Sequence, residues 1–228
     1  MAFPAARRAV ILPGLAVVAA ATDVVSYLGL GHVFTANMTG NTALLGIGIA
    51  TGKSGAALRS LCALGGFVLG AFAGGLFPSG RRLLAFCLAA ELVPLAAWFA
   101  WWETVGGPAL GAPRFGYIAL AGVAMGLQAA GVTRLGVSGV TTVFITGTMM
   151  SFIVGLSTRL HGDRLPNQSR IGHFLQALVV AFFLVGAIAA GFTFKYHGAA
   201  AVLIPLIVLA VVVPAAYVLP PVDDPEDG

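Results

Sequence analysis

The sequence predicts an all-helical (all-α) integral membrane protein built of two duplicated halves with four membrane segments each. Three observations carry this: scarce charge, apolar runs too long for soluble helices, and an internal match between the halves. Of 228 residues, 9% are charged and 59% hydrophobic, whereas soluble domains carry about a quarter charged residues. That excludes a soluble globule. Four of the eight acids, Asp223, Asp224, Glu226 and Asp227, lie in the last six residues. The body is therefore apolar with basic edges, and residues 221–228 read as an acidic disordered tail.

Arg7 and Arg8 precede an apolar run that extends from 9 to 52, interrupted only by Asp23 and His32. As one helix it would be about 66 Å long, twice a hydrocarbon core of about 30 Å. It must turn, and Gly29-Leu30-Gly31-His32 is the place, because glycine accepts the angles of a tight connection. This gives helices near 9–30 and 33–51. The next segment, 55–77, ends at Pro78-Ser79-Gly80-Arg81-Arg82, and 83–102 ends at Glu103 to Pro108. The second half repeats the plan: a run from 115 to 158 broken between Arg134 and Gly139, then 171–194 and 199–220. Residues 1–22 also fit the three regions of a signal peptide. The equivalent segment of the second half cannot be a signal, so the first is expected to stay.

The halves, 9–103 and 115–220, form one membrane domain. Phe67 to Phe77 matches Phe183 to Thr193 at five of eleven positions, and Val93-Pro94-Leu95-Ala96 matches Val213-Pro214-Ala215-Ala216. Val33, Thr35, Thr39, Gly40, Gly48 and Thr51 recur as Val140, Thr142, Thr146, Gly147, Gly155 and Thr158. Matches in one order, with loops absorbing the drift, point to duplication. With eight crossings, basic residues in short loops favour the N-terminal side by eight to four, which places both termini in the cytoplasm. The alternative is six full spans plus two re-entrant segments, with inverted repeats. It gives seven to four with Arg134 unassigned, so charge does not separate the two and length favours eight.

Asp23 is the first candidate for chemistry, since an ionisable group inside a membrane segment is costly and faces a bundle interior or a wet cavity. Asn37, Thr39, Gly40 and Asn41 return past the bend to a similar depth. In the second half Gln128 falls near the level of Asp23, while Thr146 and Gly147 stand where Thr39 and Gly40 stood. These eight residues are the expected solute- or ion-binding set. Neighbouring helices could instead use the same side chains as polar glue. Glu91, one turn before Pro94, and Arg134 are secondary candidates, and Arg134 or water are the expected partners of Glu91. Gly66, Gly70 and Gly74 form a stripe of small residues suited to close helix packing, within the chain or in a homo-oligomer. Trp98, Trp101, Trp102 and Tyr117 read as an interfacial aromatic belt.

The four histidines are scattered and the two cysteines, Cys62 and Cys87, lie in apolar runs. Neither a metal site nor a disulfide is expected. Nucleophile-elbow, phosphate-loop and dinucleotide fingerprints are missing from any strand-turn-helix context, so no enzyme activity and no cofactor is expected. The positive loops suit anionic lipid headgroups, which makes membrane lipid the expected partner and leaves nucleic acid unimplied.

Asp23, Phe34, Met38-Thr39-Gly40-Asn41, Met125-Gly126-Leu127-Gln128 and Thr146-Gly147 resemble the YoaK-like family of bacterial multi-pass membrane proteins, and the likeness covers nearly the whole chain. The resemblance implies a bacterial inner-membrane location. It also implies hallmark positions at Asp23, Thr39, Gly40, Asn41, Gln128, Thr146 and Gly147, and it supplies no substrate. The expected function is a permease-like carrier of a small solute or ion through a polar midplane site at the repeat interface. The rival is a non-transporting scaffold, assembly partner or lipid-binding module.

Overall fold

The computed structural model describes residues 3–78, 82–105, 112–133, 145–160 and 170–218. Among them every regular element is helical: α1 (Phe3–Gly29), α2 (Met38–Ala50), α3 (Ser54–Leu76), α4 (Leu83–Val105), α5 (Ala112–Thr133), α6 (Ile145–Leu160), α7 (Arg170–His197), a 3-10 turn (Gly198–Val202) and α8 (Leu203–Val218). Large apolar side chains point outward along α3 (Val68, Leu69, Phe72) and α7 (Leu184, Val185, Phe192). An apolar exterior around a packed interior fits lipid as the solvent. The all-helical membrane architecture is as the sequence predicts.

Five described segments are long and apolar enough to cross a membrane: Ala9–Gly29, Ser54–Leu76, Leu83–Thr104, Pro113–Thr133 and Gly172–Val218. The last, 47 residues long, contains two passes. α7 runs alongside α1 in the same direction, since Val17 abuts Gly186, Val24 abuts Gly191 and Gly29 abuts Phe194. After the 3-10 turn, α8 returns the other way and places Val208 and Val212 against Gly14. Of the remaining helices, α2 has 13 residues, and α6, which borders residues outside the described ones, has 16, as α8 does. At 1.5 Å per residue α2 is about 20 Å long, short of a full crossing.

α2 is therefore shorter than the full crossing expected for it, as in the alternative with re-entrant segments. The reason lies in residues 30–37. α1 ends with Gly31 and His32 at φ +89° and +61°, and the His32 N–H bonds the Tyr27 carbonyl at 3.0 Å. The chain then doubles back beside α1 without forming a helix, and α2 begins only at Met38 rather than near 33. Non-helical backbone covers more depth per residue than a helix, so α2 starts well inside the bundle and climbs back to the end of α1. There Gly52, at φ +67°, turns the chain into α3, and Gly48 packs on the backbone of Ala57. Arg59 of α3 donates from Nε to the Gly31 carbonyl at 3.0 Å, which fixes both at one face of the molecule.

α3 and α5 run parallel. Gly66 meets Ala119, Gly70 meets Val123, and Gly74 meets Ala130, while Gly122 and Gly126 meet the backbone of Ala63 and Phe67. The small-residue stripe is thus occupied by a helix of the same chain. α4 runs opposite to α5, with Gly131 on Cys87 and Gly116 on Trp101. The tryptophans lie inside: Trp98 and Trp102 are 0% and 2% exposed, and Trp101 packs against Tyr117 at a tilt, with ring centroids 4.4 Å apart. The belt expected there is a packing cluster instead, because α4 turns this face toward α5. Neither Cys62 nor Cys87 is in a disulfide.

Candidate functional site

The polar centre grows from the bend after α1. Asp23 sits six residues before the end of α1, about 9 Å along the axis, and is 6% exposed. Its Oδ1 accepts the backbone N–H groups of Thr35 and Ala36 at 2.7 and 2.6 Å, and its Oδ2 accepts that of Asn37 at 3.2 Å. Three successive amides converging on one carboxylate form an anion-holding nest, here filled by a side chain of the same protein. Ser26 and Thr35 add a hydroxyl pair at 3.1 Å. Asn41 holds the strand from the other side, accepting the Phe34 N–H at 3.0 Å and donating Nδ2 to the Phe34 carbonyl at 2.6 Å. Asn37 caps α2 by accepting the Gly40 N–H at 3.0 Å. The carboxylate also lies at the positive end of α2, where the helix dipole favours a negative charge.

Beside this clamp opens a cavity of about 890 Å³. Asp23, Asn37, Thr39 and Gly40 line it from the first half, and Thr146 and Gly147 from the second, so six of the eight predicted residues are brought together. The starts of both short helices, α2 and α6, face this one space. Most of the wall is apolar: Ala20, Val24, Tyr27, Leu28, Phe34, Ala43, Ile145 and Phe183. The cavity spans the height of α1 from Ala20 to Leu28, whose side chain is half-exposed.

Asn41 and Gln128 are not among the lining residues. Asn41 is consumed by Phe34. Gln128, fully buried, donates Nε2 to the Leu15 carbonyl at 3.0 Å on another side of α1. Glu91 lies apart in the interior of α4, and Arg134 lies outside the described residues. The aromatic walls escaped the sequence reading, although Tyr27 stands one helical turn from Asp23 and Phe34 is in the motif that carried the family resemblance. Phe183, at the head of the duplicated stretch, had its signal in the repeat. Among the described residues no group of His, Cys, Asp or Glu could hold a metal ion.

A polytopic helical membrane protein with two helices starting at one half-open cavity is the class that fold and site define. The chain belongs to the family described as a protein of unknown function, DUF1275, whose model matches residues 11–215. It is 33% identical over 193 residues to the UPF0700 transmembrane protein YoaK of Bacillus subtilis (strain 168), covering 81% of this chain and 83% of that one. No solved structure matches it.

Proposed function

We propose that the protein is a permease-like carrier, not an enzyme, that moves a small solute through the cavity between Asp23 and Thr146. One observation carries the reading: the N-terminal ends of two short helices, one from each half, open into a single half-open cavity. In transporters, broken or partial helices from two repeats commonly build the binding site in this way.

The helix packing supports an inverted duplication. Exchanging α1–α4 with α5–α8 turns the α1/α7 contact into α5/α3, α1/α8 into α5/α4, and α2/α3 into α6/α7, while α4/α8 and α1/α5 map onto themselves. Every one of these pairs is formed. α1 and α5 run in opposite directions, since the end of α1 at Gly29 meets Trp102, which packs against Tyr117 near the start of α5. The halves are then related by an axis in the membrane plane, the arrangement that lets one fold face either side in turn. With six spans, basic residues favour the side of the termini by seven to four, which supports a cytoplasmic N- and C-terminus in the bacterial inner membrane.

The wall chemistry favours a solute over a bare ion. Both oxygens of Asp23 already accept backbone N–H groups, so a dehydrated cation would find few free ligands. A largely apolar wall with polar groups gathered at the helix starts suits a small molecule with an apolar body and a polar end. The same saturation of Asp23, Asn37 and Asn41 also favours the scaffold reading, in which the polar groups only fix the bend.

Gly147→Trp separates the two, because Gly147 lines the cavity and nothing stands within 4 Å of a Cβ built there, so a large side chain is expected to occupy this space without displacing helices. In liposomes screened with a panel of small labelled solutes, the native protein is expected to move at least one. The variant, with its thermal unfolding unchanged, is expected to move none. A panel that the native protein leaves untouched, with no member raising its unfolding temperature, argues for the scaffold.

A further inference from the structure

Two acids are buried in membrane-spanning helices, and their surroundings are opposite. Asp23 has donors on three sides. Glu91 is 0% exposed, and neither of its oxygens has a hydrogen-bond partner among the described residues. It lies on the inner face of α4 with Leu84, Cys87, Leu88, Leu95 and Trp98, each at most 4% exposed.

The helix registers show what surrounds it. On α5, Gly131 meets Leu84 and Cys87, and Tyr117 meets Trp101, so Glu91 stands level with the stretch around Leu127 and Gln128. On α8, Phe86 meets Tyr217, which puts Val212 at the height of Glu91. Val212 in turn abuts Gly14 of α1, next to the Leu15 carbonyl that takes the Gln128 amide. Four helices, α1, α4, α5 and α8, thus converge at this height. The charged and titratable groups on the elements around Glu91 lie above or below its level. Arg114 and Tyr117 of α5 lie toward one end, and Tyr217 of α8, stacked with Arg82, lies toward the other. Arg82, Arg114 and Tyr117 are roughly 13 Å or more from Glu91 along the axis, Asp23 of α1 roughly 12 Å, and Tyr217 roughly 7.5 Å. On α4 itself Cys87 is one turn away and Glu103 is at the far end, and the 3-10 turn brings none.

A carboxylate sealed in such a place without a partner would cost far more than a neutral acid. Pro94, three residues on, lacks an N–H and leaves the Ala90 carbonyl without its helical donor, and Pro214 does the same to Ala210 on the facing α8. Helices bend at such positions. We propose that Glu91 is a reversible proton-binding site at the four-helix centre. Sealed, it is a carboxylic acid. When α4 or α8 bends at its proline and admits water, the O–H bond breaks, the proton leaves to water and the carboxylate remains, and closure reverses the step. As the ion that drives cargo movement this proton rests on the carrier reading; the proton site itself does not.

The test uses the full chain in lipid nanodiscs and needs no cargo. Infrared spectra are expected to contain a carboxylic-acid C=O band that Glu91→Gln removes and that shrinks reversibly as pH is raised. Absence of the band, or a band unchanged at every pH where the protein stays folded, overturns the proposal. If the variant does not fold, a hydrophobic carbodiimide applied to the native protein and mapped by mass spectrometry replaces it. An adduct on Glu91 that declines with rising pH is expected, and no adduct or a pH-independent one overturns the proposal. Failure of solute uptake in liposomes would leave either result standing.

Discussion

At the scale of single residues, Asp23 does what a loop of side chains ordinarily does for itself: it satisfies three consecutive backbone donors far from bulk water. Hydrogen bonds to a charged acceptor contribute about 1.5–3 kcal/mol each, and a buried donor left unpaired costs about 1–3 kcal/mol. Asp23→Ala is therefore expected to destabilise the protein by about 3 kcal/mol or more. Asp23→Asn should cost less, because its Oδ1 can keep Thr35 and Ala36 while its amide faces the Asn37 N–H, donor against donor. Thermal unfolding in detergent checks the order native, Asn, Ala; equal losses for Asn and Ala would mean the nest is not what matters. The acid and the Met-Thr-Gly-Asn element were legible in the sequence as neighbours. The partners of Asp23 were not, because they are main-chain amides that every residue possesses and only the path of residues 30–37 aims them.

At the scale of helices, the stripe on α3 shows what periodicity can and cannot reveal. Gly66, Gly70 and Gly74, four apart, announced a close helix contact. Its partner α5 is neither adjacent in sequence nor antiparallel, so no loop length pointed to it. A methyl group on Gly126 would collide with the Phe67 carbonyl, whereas Gly65 has nothing within 4 Å of its Cβ position. Gly126→Leu is expected to force the pair apart, at a cost of about 1–3 kcal/mol or more. Gly65→Ala should be neutral or slightly stabilising, since alanine is the better helix former. A drop in unfolding temperature for the first without the second checks this; equal effects would contradict the packing. The shortness of α2 was hidden for a related reason. Residues 33–51 carry no charge, and hydropathy does not distinguish an uncharged helix from an uncharged stretch of extended chain descending beside one.

At the scale of the whole molecule, six passes and eight passes assign Lys53 to opposite faces. The structure turns α2 back to the end from which residues 30–37 descended, so Lys53 shares a face with Gly31 and Arg59 and lies across the membrane from the start of α1. Cysteine placed at Lys53, with Cys62 and Cys87 replaced by alanine, is expected to react with an impermeant thiol reagent from the periplasmic side of intact cells. Cysteine placed at Arg159 should react only after the membrane is opened. The reverse pattern for Lys53 would restore a full crossing for α2. Counting charges could not decide this, because both threadings leave the basic excess on the side of the termini.

The carboxylate clamp on residues 35–37 also bears on how the chain is made. A stretch of open backbone bearing unpaired amides cannot rest in lipid unaccompanied. α1 must therefore already be lodged in the bilayer, its acid turned inward, before the segment behind it sinks. Assembly at this corner is ordered from the amino end, and a nascent chain lacking that acid would be expected to leave its second helix stranded at the water's edge, a ready substrate for membrane proteases.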